Sequence, residues 1–363
     1  MTKLVHRLFL KTLLLTCIVA ALFISTSHAL AEDSEKWDVN IWSQPFNYQS
    51  SPIDIKYQPA NPSDKPWHLC IAYPHLKDAY WLNVNYGMVR EAQRLGITFS
   101  LVEAGGYLNI ERQRQQIKQC TSDGADALVL GSVSYSDLTN TVLDIAKHMP
   151  VFATVNDIAD DGITAKTGVS WFEMGRITGE FIAQRHPKGG RAARIAWFPG
   201  PRGAGWVKFI DQGFKQGIEA GEIEIVTTKW GDTGKEIQRT LVQEALEAYT
   251  KIDYIVGNAL MAEAAVSTIR QMGLQAQTDI VSTYFTPAVY RGIRRNRILA
   301  APTDEPVLQG RLTINQAVRA LNNRQFIKHI GPKIKLITRD NFSTTRMHFS
   351  LAPSTFLPTF LVE

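Results

Sequence analysis

Apolar residues along this chain alternate between two patterns. Short unbroken apolar runs are followed by longer stretches in which apolar positions recur at helical spacing. The first half predicts strands over 67–73, 97–104, 125–131 and 151–156. Between them lie helices over 80–95, ending at Gly96, over 110–120, and over 137–147. A short stretch at 166–169 completes this series. The rhythm then resumes with helix 172–184, strand 195–198 and helix 205–220. It continues through strand 223–227, helix 235–249, strand 254–258 and helix 262–272. Strand 280–283, helix 287–295, strand 298–301 and helix 307–322 close it. Strands alternating with helices of this length predict parallel sheets built from right-handed crossovers, hence an α/β chain. Residues 32–65 are polar and read as an extended arm with a strand around 39–42. Residues 333–363 read as strand-like and irregular.

The first residues carry a different signal. Lys3, Arg7 and Lys11 precede an apolar run over 13–24, and Ala29-Leu-Ala31 follows as a small-x-small cleavage site. This is the pattern of a secretory leader, with an apolar run too short to span a bilayer. Cys17 does not mark a lipoprotein, because the apolar run continues past it. The whole-chain charge of +5 includes the three basic residues of the leader, which has no acidic ones, so the mature chain carries +2. That is too little for a nucleic-acid binder. Cleavage leaves two cysteines, Cys70 and Cys120. In an oxidising compartment they fit a disulfide, and equally two buried thiols.

In open α/β sheets ligands bind beyond the carboxyl ends of the strands. Here those exits are aromatic and sparsely charged: Asp78-Ala-Tyr80-Trp81, Tyr107, Gly131-Ser132, Asn156-Asp157, Ser170-Trp171, the loop 199–206, Tyr284-Phe285 and Asp304-Glu305. Tyr80, Trp81, Tyr107, Trp171 and Tyr284 are therefore expected to converge on one cleft. Ring faces attract an alkylated ammonium at about 0.5–2 kcal/mol each. Asp78 would add attraction, and a phenol could donate to a ligand oxygen. A sugar site would instead need many Asp, Asn and Arg side chains.

Catalytic patterns are missing from the sequence: it has neither Gly-x-Ser-x-Gly nor His-Glu-x-x-His. His75 and His186 read as solvated loop residues. Gly231-Asp-Thr-Gly-Lys235 is followed by Glu236 and so departs from a phosphate-binding loop. A binder is expected, with no cofactor and no metal.

Four segments carry a family resemblance: Tyr73-Pro-His-Leu-Lys-Asp-Ala-Tyr-Trp-Leu-Asn-Val-Asn-Tyr-Gly-Met88, Leu101-Val-Glu-Ala-Gly-Gly-Tyr107, Gly168-Val-Ser-Trp-Phe-Glu-Met-Gly175 and Val289-Tyr-Arg-Gly292. With them the chain resembles the type I periplasmic binding proteins of the ribose-binding class. Within that class it is similar to members that bind trimethylamine N-oxide (TMAO) and work with a membrane sensor histidine kinase. The resemblance implies two Rossmann-like lobes joined by a hinge of three crossovers. On this reading a leader, 1–31, precedes an arm, 32–65. The N-terminal lobe comprises 66–169 plus 303–325, the C-terminal lobe 170–302 plus 326–345, and the tail 346–363. It also implies a ligand site of Asp78, Tyr80, Trp81, Tyr107, Trp171 and Tyr284, with Asp304 as a polar contact at the last hinge crossing. The expected partners are TMAO and the periplasmic sensor domain of the kinase, whose signal induces TMAO respiration. A solute-binding protein of an ABC importer is the alternative. In the loop 199–205 an Arg202-Gly203 pair stands where the family has an Asp-Asn type, which leaves the role of Arg202 open.

Overall fold

The computed structural model describes residues 36–363. The leader, its cleavage site and Cys17 lie outside the described residues. Among the described residues, fifteen strands form two sheets. The first sheet is built from β1 (Trp37–Trp42), β2 (Pro52–Tyr57), β3 (His68–Tyr73), β4 (Thr98–Glu103), β5 (Ala127–Leu130), β6 (Val151–Thr154), β7 (Ala165–Thr167), β13 (His329–Pro332) and β15 (Leu361–Val362). Its order is β15-β4-β3-β5-β6-β7-β13-β1-β2. The second sheet holds β8 (Ala193–Phe198), β9 (Ile223–Thr228), β10 (Tyr254–Gly257), β11 (Asp279–Ser282), β12 (Ala300–Thr303) and β14 (Lys335–Thr338), in the order β14-β12-β11-β10-β8-β9. The strands from β3 to β7 run parallel, as do those from β8 to β12. Their fully buried runs, such as Ala127–Leu130 and Tyr254–Gly257, are what a sheet covered on both faces requires.

The helices in chain order are α1 (Ala79–Leu95), α2 (Ile110–Ser122), α3 (Thr139–Ala146), α4 (Trp171–Ala183), α5 (Gly205–Ile218), α6 (Lys235–Ala248), α7 (Ala259–Gln271), α8 (Pro287–Arg294) and α9 (Pro306–Leu321). Several start where a polar side chain caps the first turn. Asp78 accepts from the Tyr80 N–H, Ser170 from Glu173, Asn258 from Met261, and Thr286 from Val289. Gly96 ends α1 in the left-handed conformation.

The flanking segments differ from the sequence reading. The polar stretch 32–65 contains a β1–β2 hairpin that extends the first sheet, with Trp37 and Val39 fully buried. The stretch 326–345, expected wholly in the second lobe, is divided. β13 lies in the first sheet between β7 and β1, and β14 pairs antiparallel with β12 in the second. At β13 the chain passes so close to the hinge that a Cβ on Gly331 would stand 1.8 Å from the Gly168 carbonyl oxygen. A four-residue strand containing Gly and Pro carries little sequence signal. The chain passes between the sheets after β7, after β12 and after β13, which gives three crossovers at the hinge. A fourth passage follows because β15 returns to pair with β4. Cys70 on β3 and Cys120 on α2 form a disulfide with a Cα separation of 5.7 Å.

Candidate functional site

The strand exits of both sheets meet at one cavity. Its walls are Asp78, Tyr80, Trp81, Tyr107, Asn156, Trp171, Trp206, Thr233 and Tyr284, around a volume of about 10 Å³, room for about one water. The lobes are thus drawn together over the site, and a ligand held there would be compact. Each wall residue is placed by a strand end or the first turn of a helix. Asp78, Tyr80 and Trp81 follow β3, Tyr107 follows β4 and Asn156 follows β6. From the other lobe, Trp171 opens α4, Trp206 sits in the first turn of α5, Thr233 follows β9 and Tyr284 follows β11.

The rings form one continuous set. Tyr80 lies 5.5 Å from Tyr284, 6.1 Å from Trp81 and 6.2 Å from Trp171, centroid to centroid. Trp206 lies 5.3 Å from Trp171, 6.0 Å from Tyr284 and 6.1 Å from Tyr107. All five aromatic residues expected at the cleft thus line it together with Asp78. Asp304 does not line it. It stands behind Tyr80, whose hydroxyl donates to Asp304 Oδ2 at 2.5 Å, while the Gln309 amide donates to the same oxygen at 2.6 Å. The ring of Tyr80 therefore comes between this carboxylate and the ligand space.

Hydrogen bonds across the cleft hold the lobes together. The Tyr284 hydroxyl donates to Asp78 Oδ2 at 2.7 Å, leaving Oδ1 to cap α1. Lys77 pairs with Asp232 at 2.7 Å. His75 meets the Thr233 hydroxyl at 3.1 Å. His75 is thus buried, not solvated as expected, because lobe two covers it and its ring packs edge-on to Tyr107. His186 is half-buried against the Tyr254 hydroxyl, 2.9 Å away. Arg202 is not among the wall residues and stacks on Trp230 at 4.2 Å.

Burial sets the electrostatics. It pushes the carboxyls of Asp78 and Asp304 up to about 6, against the opposing pull of the hydrogen bonds each accepts. Burial also drives the phenols of Tyr80, Tyr107 and Tyr284 well above their ordinary value, so they remain neutral donors. His75 is held down to about 4, mainly by burial, and is uncharged at neutral pH. The cavity therefore presents aromatic faces backed by negative charge at neutral pH, which favours a compact, positively polarised, methylated group.

Asn156, Trp206 and Thr233 were not expected on the wall. The first two lie in strand-exit loops legible in the sequence. Trp206 also falls inside the helical pattern that begins at Gly205.

A family of the periplasmic binding protein domain matches residues 69–325. The chain is 38% identical over 325 residues to periplasmic protein TorT of Escherichia coli O157:H7, covering 88% of this chain and 90% of that one. Among solved structures, it is similar to an ABC transporter solute binding protein from Bradyrhizobium sp. BTAi1 with bound Bis-Tris. That match has a TM-score of 0.77 and 43% identity, over 90% of this chain and 98% of the other. It is likewise similar to the complex of the TorS sensor domain with TorT in the presence of TMAO, at a TM-score of 0.74 and 41% identity. That match covers 81% of this chain and 99% of the other. With the fold shared and identity near 40% along most of its length, the chain belongs to the periplasmic binding proteins of the TorT family.

Proposed function

We propose that this chain is a periplasmic sensory protein whose cleft takes TMAO and whose lobe arrangement is read by the periplasmic sensor domain of a TorS-type histidine kinase, inducing TMAO respiration. The observation that carries this reading is the convergence of six aromatic rings and one tyrosine-held carboxylate on a compact cavity between two lobes. TMAO has a positively charged nitrogen wearing three methyl groups and an oxygen that only accepts hydrogen bonds. Ring faces suit the methylated nitrogen at about 0.5–2 kcal/mol per ring, and Asp78 adds attraction. The similarity to TorT in its complex with the TorS sensor domain and TMAO supports the same pairing here. TMAO would bias the lobes only by its differential affinity for their arrangements, and the kinase domain would read that bias.

The similarity to the Bradyrhizobium solute binding protein favours a second reading, delivery of a small solute to an importer. Calorimetry on the mature protein separates the two. TMAO should release heat alone or with the kinase sensor domain, and Trp171→Ala and Tyr284→Ala should stay folded and bind it more weakly. No heat with TMAO in either setting overturns the sensory reading.

A further inference from the structure

The donors on the cavity wall can be accounted for one by one. The Tyr80 hydroxyl proton goes to Asp304 and that of Tyr284 to Asp78. The Trp171 indole N–H donates to the Val155 carbonyl at 3.0 Å. The Trp81 indole N–H points at the Tyr107 oxygen at 3.4 Å. The Asn156 amide donates to the Ser132 carbonyl at 2.7 Å and reaches the Tyr107 oxygen at 3.3 Å. The Thr233 hydroxyl meets His75. Two donors are left over. The Trp206 indole nitrogen is buried and, among the described residues, has no hydrogen-bond partner. Its ring lies 6.1 Å from that of Tyr107, centroid to centroid. The Tyr107 oxygen already receives Trp81 and Asn156, so the proton of Tyr107 is free to point elsewhere.

A buried N–H without an acceptor costs about 1–3 kcal/mol. At a site between two lobes, a ligand in the cavity can satisfy it. We infer that Trp206 is a specificity-determining residue: its indole N–H, together with the Tyr107 hydroxyl, selects a ligand carrying an oxygen acceptor on its methylated nitrogen and rejects the corresponding ammonium ion. The inference rests on the TMAO reading above. Ring faces and Asp78 alone would hold trimethylammonium at least as well, since it carries a full positive charge. Trimethylammonium, however, offers a donor and no acceptor, leaving the Trp206 N–H unsatisfied. Sites built to hydrogen-bond a ligand group discriminate strongly against analogues lacking it.

The test is calorimetry of TMAO and of trimethylammonium chloride against the mature protein and its Trp206→Phe variant, which keeps a ring and loses the N–H. TMAO affinity should fall roughly 10- to 100-fold. Trimethylammonium affinity should change less than about threefold, so that the preference collapses. A preference for TMAO that survives the substitution overturns the role of Trp206 and leaves the sensory reading intact. Wild-type protein that binds no TMAO overturns both. Should the variant fail to fold, NMR of the wild type decides: the Trp206 indole proton, assigned by sequential connectivity, should shift with TMAO and not with trimethylammonium. An unmoved resonance overturns the inference.

Discussion

The Tyr284 hydroxyl donates across the cleft to Asp78 Oδ2 at 2.7 Å, joining the exit of β11 in one lobe to the cap of α1 in the other. One carboxylate thus serves two ends, fixing the first turn that carries Tyr80 and Trp81 while holding the opposite lobe against it. Local helix geometry and lobe closure are coupled at this pair.

Tyr284→Phe isolates the coupling, because the ring stays and only the hydroxyl is lost. Asp78 would then remain buried with one fewer donor, at a cost of about 1.5–3 kcal/mol to the closed arrangement. The ligand-free protein should open, read as a larger radius of gyration in solution scattering, and TMAO affinity should drop by about tenfold or more. Unchanged scattering and unchanged affinity would falsify the coupling.

Much of this site is legible in the sequence, because aromatic residues at strand exits have no strand-face periodicity to explain them. Tyr80, Trp81, Tyr107, Trp171 and Tyr284 stand out for that reason, and all five line the cavity. Trp206 is not among them, although it ends the exit loop 199–206 and lies in the first turn of α5 as Tyr80 and Trp81 lie in that of α1. Gln309 is not legible at all. From Pro306 to Val318 every residue of α9 is buried, so no polar face marks the one amide that reaches Asp304. Asp304 lies at the right crossover and one layer too deep, a distinction of depth that chain position does not encode. β13 and β15 are short strands whose pairing is decided by distant residues, so their places in the first sheet emerge only from the fold.

The buried carboxylates predict a pH effect. Asp304 titrates at about 6 in the folded protein against an ordinary 3.8. Between those values the folded state keeps a proton that the unfolded chain has released. Its contribution to stability therefore falls as pH rises through that window and levels off above it, by an amount of order 3 kcal/mol. His75 and His329, held down to about 4 and about 3, act in the opposite sense, since their contribution is lost as pH falls. The comparison must therefore be with a variant. Asp304→Asn should gain stability relative to wild type between pH 4 and 6 in urea denaturation. A constant difference across that range would show that Asp304 is not the titrating group.

The Cys70–Cys120 bond ties β3 to α2 and closes a loop with a sequence separation of 50. Chain entropy alone assigns such a loop a stabilisation of about 4 kcal/mol, and removal of native bonds costs about 2–5 kcal/mol. The double variant Cys70→Ala, Cys120→Ala should lose that much in denaturant titration. Neither sulfur lines the cavity, so TMAO affinity in the folded variant should stay within about threefold of wild type. A large affinity loss would mean that the bond also fixes the exit of β3.

Gly131 makes the sharpest test of how the wall is held in place. It ends the exit of β5, and a Cβ built there would stand 2.5 Å from Cη2 of Trp81. The Trp81 ring is boxed in by Tyr73 at 4.6 Å and Tyr80 at 6.1 Å, and the yielding side is the cavity it lines. Gly131→Ala should therefore push the indole into the ligand space and break its approach to the Tyr107 hydroxyl. Overpacking of this kind costs about 1–3 kcal/mol of stability, which a domain of this size survives. TMAO affinity should fall much further, by a hundredfold or so, because a compact cavity has no room to share. Calorimetry and a thermal melt on the same sample separate the two effects. A variant that melts lower yet binds TMAO normally would place the relaxation in the strand, and would remove Trp81 from the wall that sets ligand fit.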